Sequence, residues 1–121
     1  MLNDSQRGEF KSKGYLKIPG LITESTRKLM LDQLSDWVEE SRSYDANYGF
    51  DTPNGKARFD LEQSHSSDHP RLRRVANPVD ISEAYQSVLF FGEMPEVVAD
   101  LIGPDVFFHH CKLNNKFPGG S

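Results

Sequence analysis

Near one end of the chain, His110, Lys112 and Asn114 occupy alternate positions in the run from Asp105 to Lys116, which reads as a strand. Successive side chains of a strand point to opposite faces. Val106, Phe108, His110, Lys112, Asn114 and Lys116 therefore share one face, and Phe107, His109, Cys111 and Leu113 the other. The first face passes from apolar to a row of donors, the pattern of a strand whose outer half enters a pocket for an anionic or carbonyl-bearing ligand. A strand whose polar face simply meets water shows the same alternation, and antiparallel sheets present such faces commonly. The single basic cluster is Arg71-Leu72-Arg73-Arg74-Val75. With Leu72 turned to the core, Arg74 is expected on the same side, where a buried guanidinium needs a carboxylate from the protein or from a ligand. The alternative is a plain salt bridge or solvated arginines.

His65-Ser66-Ser67-Asp68-His69 holds two imidazoles and a carboxylate within five residues. On a helix, histidines four apart share a face and could ligate a metal, but the serines and Pro70 disfavour a helix, and an exposed loop is the simpler reading. His109 and His110 are adjacent on a strand and point apart, so they do not easily share one ion. Cys111 falls on the core face and reads as a small buried hydrophobe rather than a nucleophile. The chain has no glycine-rich phosphate loop, no G-x-S-x-G elbow and no paired-cysteine zinc motif. Motif chemistry alone leaves the function open.

These side chains need elements to hold them. The spacing predicts helices over about 4–13, 24–40, 81–91 and 95–102, and strands over about 15–18, 57–61, 71–76 and 105–116. Asp4 or Ser5 can cap the first helix and Gly14 suits its left-handed end. Thr23 can cap the second, whose apolar stripe is Met30, Leu31, Leu34, Trp37 and Val38. Asp80 and Glu83 have capping-box spacing ahead of Ile81, Tyr85, Val88 and Leu89. Pro95 suits a first helical turn, and Gly103-Pro104 a stop. Residues 41–70 are polar and turn-rich, which in a compact domain signals a lid or rim. Tyr44, Tyr48 and Phe50 argue that this segment is partly ordered.

The 121 residues carry a net charge of -4, the wrong sign for a protein that lives by neutralising phosphate backbones, so nucleic acid is not expected as a partner. No window is long and apolar enough to cross a bilayer, and the first residues have no signal-peptide core. With the lone Cys111, this leads to a cytoplasmic expectation. The length suits one domain of α+β class.

The order of segments is more informative than any one of them. Phe10 with Gly14-Tyr15-Leu16-Lys17-Ile18-Pro19-Gly20-Leu21-Ile22-Thr23, the amphipathic helix, His69-Pro70-Arg71-Leu72-Arg73-Arg74-Val75-Ala76-Asn77-Pro78, Leu101-Ile102-Gly103-Pro104-Asp105-Val106, and His109-His110-Cys111-Lys112-Leu113-Asn114-Asn115-Lys116 followed by Pro118-Gly119-Gly120 follow one another. This succession resembles the N-terminal portion of the phytanoyl-CoA dioxygenase family. The resemblance implies a double-stranded β-helix (jelly roll, cupin-like) with packed helices. It also implies a non-haem oxygenase that uses Fe(II) and 2-oxoglutarate to hydroxylate a small organic or acyl substrate, with the iron in a facial triad of two histidines and a carboxylate.

By the same resemblance, Asn114 and Arg74 are expected to reach the 2-oxoglutarate cosubstrate, Lys112 to line its pocket, and His110 to line the substrate pocket. The family's H-x-D iron motif follows this strand, and no H-x-D occurs in the 121 residues. The chain is therefore expected to be a single incomplete domain over 1–121, an apparently truncated jelly roll with no iron ligands of its own. Its expected partners are a small-molecule substrate and the remainder of its own jelly roll. Alone it is expected to be inactive and prone to aggregate through Phe107, Phe108 and Leu113. Two rivals remain: a non-catalytic binding or interaction protein on the same scaffold, and a small metal module built on His65, Asp68 and His69.

Overall fold

A computed structural model describes residues 2–118. Gly119 and Gly120, the last residues of the family-like succession, lie outside the described residues. Helix α1 (Asp4–Lys13) begins at Asn3, not at Asp4 or Ser5. The Asn3 side chain accepts from Gln6 N at 2.8 Å, and the Gln6 side chain accepts from Asn3 N at 2.9 Å, a reciprocal capping box. Gly14, at φ 80°, ends the helix in the left-handed region.

Helix α2 (Glu24–Ser41) is capped by Thr23, whose hydroxyl accepts from Thr26 N. Trp37 is its buried anchor, with Val38 packed beside it, whereas Leu31 of the expected stripe is half exposed. Residues 15–18 form no strand. Tyr15 is exposed, and no described strand pairs with this segment, so its alternation has no ladder to join.

Strands β1 (Phe59–Leu61), β2 (Leu72–Ala76) and β3 (Lys112–Asn114) form one antiparallel sheet in that order, shorter than the sequence predicts. Tyr48 extends the β1 edge through an isolated bridge to Phe59. The largest correction concerns residues 105–116, of which only 112–114 pair. Their partner β2 stops at Ala76, because Asn77 turns into the left-handed region at φ 46° and Pro78 has no N–H to donate. Residues 105–110 thus have no strand beside them among the described residues. Phe107 is 95% exposed, and Phe108 packs edge-on against Phe90. Leu113 lies opposite Val75 and packs on the core, so it is not one of the exposed liabilities.

The expected helix over 81–91 is broken in two. A 3-10 turn over Pro78–Asp80 precedes α3 (Glu83–Gln86), followed by a wide π turn over Ser87–Phe91. Ser82 caps α3, not Asp80, which is drawn away by Arg58. Helix α4 (Met94–Ile102) carries Pro95 in its first turn.

The core is the aromatic and aliphatic set Trp37, Tyr48, Phe59, Leu72 and Val75. Trp37 meets Phe59 edge-on and stacks on Tyr85, and Tyr48 lies between Tyr44 and Phe59. Residues 41–70 are therefore anchored at Tyr48, while Phe50 remains exposed. Gly49 is required here: its φ is 81°, and an added Cβ would sit 2.9 Å from the Phe59 ring. The chain is thus a mixed helical structure with a small antiparallel sheet. The two packed sheets of a jelly roll are not present among the described residues.

Candidate functional site

One irregularity in β2 arranges the polar face of the sheet. Phe59 faces Val75 and Asp60 faces Arg74, but Leu61 faces Leu72, so Arg73 is an extra residue in the strand. Across this bulge Leu72 and Val75 both turn inward and are fully buried. Arg74 is consequently on the face opposite Leu72, where simple alternation would not put it. Its carboxylate partner comes from the protein: Arg74 Nε donates to Asp60 Oδ2 at 2.8 Å and a terminal nitrogen donates to the same oxygen. Arg73 is 3.8 Å from that oxygen.

The pairing of Arg74 with Asn114 continues the row. Directly paired residues share a face, so Asp60, Arg74 and Asn114 stand side by side across the three strands. Asn115 N donates to Arg73 O at 2.8 Å. The Arg74–Asn114 pair therefore falls between ladder bonds, where side chains approach most closely. Lys112 faces Ala76 two residues away and joins the same face.

Two hollows open on this face. The larger, about 970 Å³, is bounded by Lys112, Arg74 and Ala76 on the sheet and by the 47–57 loop, with His110 and Asp80 at its edge. The smaller, about 110 Å³, is lined by Arg73, Arg74, Asn114, Asn115 and Lys116. Arg73 and Arg74 belong to both. The structure thus brings Arg74, Lys112 and Asn114 onto one face, and His110 onto the rim of the larger hollow.

The wall of the larger hollow is fixed by Arg58, which sequence reading overlooked. Its buried guanidinium donates to Ala76 O (2.9 Å), Asn77 O (3.0 Å), Asp51 O (3.2 Å) and Asp80 Oδ2 (3.2 Å). Asn77 in turn clasps Cys111: Asn77 N donates to Cys111 O at 2.8 Å, and Cys111 N donates to Asn77 Oδ1 at 3.0 Å. These links set the point at which the last segment enters the sheet. Burial pushes the Cys111 thiol up from its usual value, which lowers its thiolate fraction and suits packing rather than attack. A cation inside an otherwise half-apolar strand, at Arg58, was the available signal for this role.

The metal reading of residues 65–69 fails on geometry. His65 Nδ1 accepts from Arg71 N at 2.8 Å, so Nε2 carries the proton and donates towards Ser41 O and Tyr44 O, each at 3.0 Å. Both ring nitrogens serve the loop. Among the described residues, no three His, Cys, Asp or Glu groups converge as a metal site. These residues therefore do not fit an iron centre. Among the described residues, no helix is long and apolar enough to cross a membrane.

Comparison with known proteins gives two relatives of the same chemical kind. The chain is 27% identical over 119 residues to methylphosphonate hydroxylase of Gimesia maris, covering 98% of this chain and 41% of that protein. It is 24% identical over 116 residues to 2-aminoethylphosphonate dioxygenase of an uncultured bacterium, covering 96% of this chain and 40% of that protein. The chain spans about two fifths of the length of these curated relatives. No protein-family model and no solved structure matches it.

Proposed function

We propose that this chain forms the early part of a non-haem Fe(II)- and 2-oxoglutarate-dependent oxygenase that hydroxylates a small organophosphonate. The carrying observation is that it aligns over nearly its whole length with two phosphonate oxygenases while presenting Arg74, Lys112 and Asn114 on one hollowed face of its sheet. A 2-oxoglutarate carboxylate would find the Lys112 ammonium there, beside the Arg74–Asp60 pair, and Asn114 continues the same polar face. Arg74, already paired with Asp60, orients the row, and Lys112 gives it net positive charge. His110 at the rim would meet the substrate.

The iron would supply oxygen activation, and its ligands would come from residues other than those described. What these residues do is bind the charged ends of small acids and hold them against a walled surface. Alone, the 121-residue chain is expected neither to retain Fe(II) nor to turn over. A non-catalytic binding role on the same scaffold is the alternative, and it shares the anion-binding face.

The test is an assay of the polypeptide encoded by the complete reading frame with Fe(II), 2-oxoglutarate, O2 and methyl- or 2-aminoethylphosphonate. Succinate formed in step with hydroxylated phosphonate supports the oxygenase. Binding of 2-oxoglutarate without succinate, under conditions in which Fe(II) is bound, would leave the non-catalytic alternative.

A further inference from the structure

The two hollows on the sheet face differ in ways that assign them different ligands. The larger is mixed in character. It is lined by Phe50 and Ala57 as well as charged groups, and its buried cation, Arg58, spends its donors on three carbonyls and Asp80. The smaller is lined by two arginines, two asparagines and one lysine around about 110 Å³. That space suits a compact tetrahedral anion rather than an extended dicarboxylate.

We propose that the recess formed by Arg73, Arg74, Asn114, Asn115 and Lys116 is a site for a doubly charged tetrahedral oxyanion, a phosphonate or phosphate group. Arg73, Arg74 and Lys116 line the recess, and Asp60 beside it pairs with Arg74 and lies 3.8 Å from Arg73, so two positive charges remain to meet a dianion. Arg73 is the bulged residue. Its guanidinium is about half exposed and sits 3.8 Å from Asp60, too far for a hydrogen bond, so its donors are available for oxyanion oxygens. Arg74 is committed to Asp60 and acts as a fixed wall.

The far side is fixed too. Asn115 N bonds Arg73 O, and Phe117 lies under the Arg71 guanidinium at 4.9 Å. Lys116 lies between these two anchors and lines the recess; the fixed backbone on either side reduces the ordering needed to bind.

This inference rests on the proposed function only for the word phosphonate, and the recess itself can be probed with inorganic phosphate. In the oxygenase reading, the substrate's phosphonate end would occupy the small recess and the 2-oxoglutarate the larger hollow, on either side of Arg74. One bulge would then create both sites, by turning Arg74 outward and leaving Arg73 without a partner residue on β1.

The experiment is calorimetric titration of the 121-residue chain at low ionic strength with inorganic phosphate, methylphosphonate, acetate and 2-oxoglutarate. Phosphate and methylphosphonate are expected to compete for one site, to weaken as salt is added, and to bind better than acetate. Arg73→Gln and, separately, Lys116→Gln should each weaken them about tenfold, Arg73→Lys less, while Lys56→Gln, across the larger hollow, should change them less than about twofold. Retained affinity in both Arg73→Gln and Lys116→Gln would overturn the site. So would absence of phosphate binding at about 10 mM, or preference of the recess for 2-oxoglutarate.

Failure here leaves the oxygenase assay untouched, since that assay reads succinate and not this recess. Conversely, a chain that binds phosphate here but whose complete reading frame makes no succinate keeps the site and loses the oxygenase.

Discussion

Asn77 and Cys111 hold each other by two hydrogen bonds, one from each backbone N–H, across a sequence distance of 34 residues. Asn77 does this from the left-handed region at φ 46°, which asparagine tolerates better than most residues. The clasp ends β2 and admits the last segment to the sheet. It thereby sets the register in which Lys112 and Asn114 reach the polar face.

Asn77→Ala removes the side-chain acceptor and places a less suited residue in the left-handed region. A loss of about 2 kcal/mol in unfolding free energy is expected. Asn77→Gly relieves the backbone and should lose less of it. Urea denaturation of the two variants checks the order, and equal losses would mean that the backbone conformation contributes nothing.

The Asp60–Arg74 pair lies at the centre of the sheet, with Asp60 nearly buried and Arg74 partly open to water. Asp60→Asn should destabilise by about 2 kcal/mol, between the values for exposed and buried pairs. A double-mutant cycle with Arg74→Gln should show coupling of about 1 kcal/mol or more. Additive losses would mean that the two residues act independently.

Helix α1 is tied to α4 by a two-pronged contact, Arg7 Nε to Asp100 Oδ1 at 2.9 Å and an Arg7 terminal nitrogen to Asp100 Oδ2 at 3.0 Å. The Arg7 hydrogen bond holds the Asp100 carboxyl below its ordinary value. A lowered folded-state value means that this stabilisation is complete above the ordinary aspartate range and is lost as pH falls through the folded value. The protection of α1 amides, relative to their intrinsic exchange rates, should therefore fall below about pH 4, and Asp100→Asn should lower it at neutral pH and remove this loss on acidification.

Alkali should act on the core. Burial first, and the neighbouring Glu40 second, push the Tyr48 phenol well above the ordinary tyrosine range. Burial raises Tyr85 as well, and its hydroxyl donates to Met30 O at 3.2 Å. The unfolded chain ionises these phenols first, so their contribution is intact below about pH 10 and falls as pH rises beyond it. Unfolding followed by Trp37 fluorescence should show this alkaline loss, and Tyr48→Phe should reduce it.

Several features were legible locally because the deciding chemistry lies within a few residues. Thr23 offers its oxygen to Thr26 three residues on, Gly14 supplies the left-handed turn, and Pro95 needs no donor in a first helical turn. Arg74, Lys112 and Asn114 could be singled out by residue type, but that Arg74 joins the other two on one face follows only from the strand pairing. The strand limits, the Ser82 cap and the role of Arg58 could not, since each depends on a partner far along the chain.

The sequence by itself determined the left-handed end of α1 at Gly14, the Thr23 cap and amphipathic character of α2 and the kinds of polar side chain the last strand carries, because hydrogen bonds between near neighbours and the periodicity of apolar residues are properties of the chain. Only the tertiary structure decided which way those side chains point. A one-residue bulge at Arg73 inverts the facing of everything beyond it, and whether it forms depends on Leu72 and Val75 both reaching the core formed with Trp37 and Phe59. Burial of those two side chains, three residues apart in a strand, overrides the period of two that the sequence suggests, and with it the side on which Arg74 meets Asp60.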